Sequence, residues 1–148
     1  MKQARTVLAV ALVLVCAGSI SAFASSHTEM KNVVWPSGAI QWEDGPVPGT
    51  KVAKLWGDWM KGGPYGALIK FAPGTMHPVH YHTQTVRIVV LSGTFVFKPE
   101  GGEETKLGPG SYLLQAGGKN HVSGCTSDAE CEFFMTAQDK FDLIEAKK

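Results

Sequence analysis

Clusters of glycine and proline cut this chain into short pieces, and that punctuation limits its fold more than any other feature. Breaks at Gly62-Gly63-Pro64, Pro73-Gly74, Gly93, Gly101-Gly102, Gly108-Pro109-Gly110 and Gly117-Gly118 separate apolar runs at 51–56, 65–71, 79–82, 86–91, 94–98, 111–115, 121–124 and 132–137. Runs of this length between turn residues are strands, because a packed helix needs ten or more uninterrupted residues. Eight short strands with no long helical period predict an all-β domain, a sandwich or a barrel. The stretch 141–148 fits a strand end or a short helix equally well. With 148 residues, 44% of them hydrophobic and 18% charged, the chain suffices for one domain and leaves little for a second.

The first 24 residues have a different grammar. Lys2 and Arg5 precede an unbroken apolar run at 7–17, and Gly18, Ser19 and Ser21 lead to Ala22-Phe23-Ala24. A basic start, a short apolar stretch and a small-x-small ending predict a signal peptide cleaved after Ala24, and hence a periplasmic or secreted protein. The apolar run is about half the ~20 residues needed to span a bilayer, so no membrane association is expected after cleavage. The rival readings are an uncleaved anchor and lipid attachment at Cys16, although Val15 stands where lipoprotein processing requires a small residue. Residues 25–45 read as an N-terminal segment and 46–148 as the folded domain. The chain carries 14 Lys and Arg against 13 Asp and Glu; without Lys2 and Arg5 the balance is 12 against 13, net −1. With no basic cluster there is no electrostatic footprint for a nucleic acid.

Removal of the signal takes Cys16 and leaves Cys125 and Cys131, an even pair in an oxidising compartment. A disulfide is the simplest reading, with the five residues between them as the tip of a hairpin. The competing assignment makes Cys125 a thiolate metal ligand near His121.

The histidines carry the sharpest chemical signal. In an extended strand His80 and His82 project from one face while Tyr81 points away, so two imidazoles aim at one point. His121 opens a later run after a glycine-rich turn, at a separation that suits a neighbouring strand returning to the same spot. Around them stands a frame. Gly74 lies six residues before His80 and Gly93 eleven after His82, while Gly110, Gly118 and His121 follow at intervals of eight and three.

This frame resembles the two motif blocks of the cupin superfamily over roughly residues 74–125. Trp56-Gly57-Asp58-Trp59, Lys61-Gly62-Gly63-Pro64-Tyr65-Gly66, Leu107-Gly108-Pro109-Gly110-Ser111-Tyr112 and the Cys125…Cys131 segment are similar to a group of exported single-domain cupins of uncharacterised function. The resemblance implies a single-domain cupin-type antiparallel β-barrel or jelly roll holding a divalent metal ion, Zn, Fe, Mn or Ni, on His80, His82 and His121. It also implies a small-molecule ligand and pairing into a homodimer. Two positions depart from the family pattern: Val86 stands where the first block supplies a glutamate ligand, and Ala116 replaces the second block's proline. Loss of the carboxylate leaves the ion's charge unbalanced by protein, so water, hydroxide or an anionic or oxygen-rich ligand is expected to complete the site.

His77 is expected at the pocket rim, as a candidate catalytic proton-transfer group, because Pro78 interrupts any regular strand there. Gln84 and Gln115 are candidate hydrogen-bonding groups, and Arg87 should face away from the site. Two functions from different classes follow: a metal-dependent oxygenase or hydrolase, and a non-catalytic ligand-binding or sensor domain with a degenerate metal site. No Gly-x-Ser-x-Gly, His-Glu-x-x-His or Cys-x-x-Cys pattern is present, and Gly108-Pro109-Gly110 precedes a strand, so it opens no phosphate-binding helix.

Overall fold

Alternating burial organises the molecule. The computed structural model describes residues 31–147; the expected signal peptide, with Cys16, and His27 lie outside the described residues. After a 3-10 turn at Ser37–Ala39 come eleven strands among the described residues. These are β1 (Glu43–Asp44), β2 (Thr50–Trp56), β3 (Tyr65–Phe71), β4 (His80–Tyr81), β5 (Val86–Ser92), β6 (Phe95–Pro99), β7 (Thr105–Leu107), β8 (Tyr112–Gln115), β9 (His121–Cys125), β10 (Cys131–Ala137) and β11 (Ile144–Glu145). Each of the eight runs read from the sequence is a strand, with ends displaced by no more than one residue. Two strands were not foreseen, β1, which pairs with β2 from within the 25–45 segment, and the edge strand β7, and the stretch 141–148, read as a strand end or a short helix, supplies the eleventh, β11.

All pairings are antiparallel, in two sheets. One has the order β1-β2-β3-β10-β5-β8 and the other β11-β4-β9-β6-β7. Non-sequential order of this kind is the jelly-roll arrangement, so the all-β expectation holds in detail. Cys131, Phe133, Met135 and Ala137 of β10 and Val86, Ile88 and Val90 of β5 point inward with strict period two. Phe95 from the second sheet meets Phe71 and Phe133 from the first, with ring centroids 6.1 and 5.0 Å apart. Burial of these aromatic faces between the sheets is the main cohesive term.

One local expectation is corrected. Cys125 and Cys131 are bonded, with Cα atoms 5.8 Å apart, but they do not close a hairpin. Cys125 ends β9 in one sheet and Cys131 begins β10 in the other, so the bridge ties the two sheets together. Gly93 lies beneath this crossing at φ +72°, and a Cβ there would stand 2.4 Å from the Glu130 carbonyl oxygen. A residue without a side chain is therefore required where the two crossings pass.

Candidate metal centre

His80 of β4 and His121 of β9 are directly opposed in the ladder, which sets their side chains side by side on the inner face. His82 lies just beyond β4 on the same face. The ring centroids are 4.3 Å apart for His80 and His121, 5.1 Å for His80 and His82, and 5.3 Å for His82 and His121. One ligating nitrogen from each ring lies within 4.8 Å of the other two, and all three residues are buried. The turn that delivers His121 is seated on the first segment. Gly118 N–H donates to the His82 carbonyl at 2.8 Å, and a Cβ on Gly117 would fall 2.5 Å from the Thr83 carbonyl oxygen.

The outer nitrogen of each ring is assigned by its partner. His80 Nδ1 is 2.7 Å from the Pro78 carbonyl, His121 Nδ1 is 2.9 Å from the Lys119 carbonyl, and His82 Nδ1 meets the Asp142 carbonyl. A carbonyl only accepts, so each Nδ1 carries the proton and each Nε2 keeps a lone pair. Burial lowers all four interior imidazoles, bringing His77 and His80 down to about 4, with neighbouring rings adding to the effect at His77, His80 and His82. At neutral pH the rings are thus uncharged, the form that binds metal. Buried His80 Nε2 has no hydrogen-bond partner, an expensive condition that a metal ion would relieve. Three neutral nitrogen donors converging in this way fit a borderline divalent ion such as Zn or Fe, without choosing among them.

A cavity of about 40 Å³ is lined by His82 and His77. Trp59, Ile69, Phe71, Phe133, Met135 and Phe141 contribute to its walls, and among the described residues neither Lys, Arg, Asp nor Glu lines it. Phe141 and Leu143, from a segment the sequence did not mark as functional, also line it. Phe141 packs on Trp59 and His82 at centroid distances of 5.2 and 5.1 Å, and its N–H donates to the Trp59 carbonyl. Asp142 orients His82 through its carbonyl, and its carboxylate accepts from the Thr83 N–H at 2.8 Å and from the Thr83 hydroxyl.

His77 is not at the rim as expected. It is buried on the cavity wall against Phe71 at 4.7 Å, its backbone N–H donates to the Ser123 carbonyl, and its Nε2 has no partner. Pro78 lets the chain bend so that His77 also faces inward, outside the three-histidine group. Gln115 is buried in the cavity with its amide nitrogen 3.3 Å from His121 Nε2, whereas Gln84 lies half-buried in the turn after His82 and does not line it. Arg87 is half-buried, flanked across the sheet by Leu114 and Thr136. Val86 is buried opposite Gln115. The disulfide withdraws Cys125 from the donor set.

Fold and site together define a two-sheet β-domain with three inward-facing histidines brought to one point. The cupin-domain family profile matches residues 67–137, and the fold is that of the cupin superfamily. No curated protein matches the sequence. Solved structures that share the fold include the polyketide cyclase RemF from Streptomyces resistomycificus, 21% identical over 81% of this chain and 87% of that one, with a TM-score of 0.66. A protein of unknown function with a cupin-like fold from Ralstonia eutropha is 24% identical over 79% of this chain and 80% of its own, TM-score 0.61. A sugar phosphate isomerase from Silicibacter pomeroyi is 21% identical over 68% and 72%, TM-score 0.55. Such different reactions on one fold mean that architecture alone does not assign chemistry.

Proposed function

We propose that this protein is an exported cupin that holds a divalent metal ion on His80, His82 and His121 and presents to it a small ligand with an oxygen-bearing or anionic end. The observation that carries this reading is the convergence of three Nε2 lone pairs, each fixed by an Nδ1–H donated to a backbone carbonyl. A bound ion would polarise an oxygen of the ligand or activate water or O₂. The chain's own residues do the rest. Trp59, Phe71 and Phe133 exclude water and take the ligand's apolar part, Trp59 Nε1 and His77 Nε2 offer unpartnered polar atoms, and the segment 141–143, which adds Phe141 and Leu143 to the wall, would serve as a cover. The absence of cationic side chains from the lining leaves the metal as the counter-charge for an anionic end. A cavity of this volume admits a few heavy atoms; a larger ligand displaces the cover.

A metal-dependent oxygenase or hydrolase is one form of this function. A second reading, a ligand-binding or sensor domain, is favoured by one observation: His77, the candidate proton carrier, is pulled down to about 4, and among the described residues no carboxylate lines the cavity to replace it. Trp59 lies in the wall, so intrinsic fluorescence of metal-loaded protein reports binding of small carboxylates, phenols and keto acids. Metal-dependent quenching is expected, and a response independent of metal contradicts the proposal. Oxygen uptake and hydrolysis assays on the ligands that bind separate enzyme from binder. Export predicts a mature chain beginning at Ser25 in the periplasm or medium, read by intact mass. The proposal includes a homodimer, tested by light scattering.

A further inference from the structure

Gln115 breaks the pattern of its own strand. Along β8 the exposed residues Tyr112 and Leu114 alternate with Leu113 and Gln115, so position 115 is an inward site where packing alone calls for an apolar side chain. An amide there costs stability unless it has work to do. Its nitrogen stands 3.3 Å from His121 Nε2, a lone pair already committed inward because His121 Nδ1–H donates to Lys119. The contact is that of an NH₂ donating to a free imidazole nitrogen. When that nitrogen ligates a metal, the NH₂ loses its acceptor, and half a turn about the terminal torsion brings the carbonyl end to the same place.

Resting on the metal-site reading above, we infer that Gln115 supplies the fourth protein ligand through Oε1. The site then has three imidazoles and one neutral amide oxygen, keeps the ion's full charge, and so selects a ligand with an anionic end. The register places Val86 directly across from Gln115 on the same face, so a carboxylate introduced at position 86 reaches the same space.

The test uses Co(II), whose visible spectrum reports its ligands, added to metal-stripped full-length protein, with affinity measured by chelator competition. Relative to wild type, Gln115→Leu is expected to bind Co(II) at least about tenfold more weakly and to show a changed visible band. The isosteric Gln115→Glu is expected to bind more tightly, also with a shifted band, and Val86→Glu introduced into Gln115→Leu is expected to recover affinity. Circular dichroism checks that each variant is folded, and the near-isosteric glutamate variant carries the test should the leucine variant fail to fold. Unchanged spectra in Gln115→Leu and Gln115→Glu overturn the assignment, whatever the affinities. A wild-type protein that takes up no Co(II) overturns the metal-site reading itself, a distinguishable result.

Discussion

Metal-free protein should lose stability steeply between pH 6.5 and 4, for a reason that lies in the cavity wall. His77 and His80 ionise near 6.5 in an unfolded chain, whereas in the fold burial brings each down to about 4. Between these values the unfolded chain takes up protons that the fold refuses, so acid favours unfolding. The contribution of each ring is fully present above pH 6.5 and is lost as pH falls toward 4. The displacement corresponds to at most about 3 kcal/mol per ring, or roughly 6 kcal/mol for both, against a typical total of about 5–15 kcal/mol. Urea unfolding of chelator-treated protein at pH 7.5, 6, 5 and 4.5 measures this. Carboxylates also titrate in the lower part of the range, so His77→Leu provides the control. It removes one ring from outside the three-histidine group, although that ring lies 5.5 Å from the ring of His80, and it should flatten the pH slope while its stability at pH 7.5 is free to move either way. Parallel slopes for wild type and His77→Leu would refute the reasoning.

Two further outcomes are expected. Reduction of the Cys125–Cys131 bridge, or the double replacement by Ala, should cost about 2 kcal/mol, since the closed loop is short, and it should leave metal affinity unchanged because neither sulfur belongs to the donor set; chemical denaturation and metal titration read the two effects separately. Asp142→Ala removes both side-chain bonds that hold Thr83 and loosens the segment whose carbonyl orients His82, so metal affinity should fall about tenfold with little change in global stability, measured by chelator competition and thermal unfolding.

Much of this molecule is legible in the sequence, and the remainder fails for identifiable reasons. A strand such as β10 announces itself because period-two burial is enforced along seven residues. β1 and β7 are two and three residues long, are exposed or half-buried, and are held by ladder bonds to neighbours, so no side-chain pattern marks them. The Cys125…Cys131 spacing is the same for a hairpin as for a crossing between sheets, because local sequence does not state which sheet a strand joins. In the site, His80 and His82 are readable from alternation and His121 from its turn. The inward position of His77 depends on how the chain bends at Pro78. The groups that orient the three rings are backbone carbonyls of Pro78, Lys119 and Asp142, which every residue carries and no motif can reveal.

That three imidazoles hold one ion is tested by metal content, measured by mass spectrometry of untagged protein as purified and after loading and dialysis. Close to one equivalent of Zn, Fe, Mn or Ni per chain is expected, falling to background in folded His80→Ala and His121→Ala. A wild-type protein that retains no metal after loading, or variants that retain as much as wild type, would contradict it.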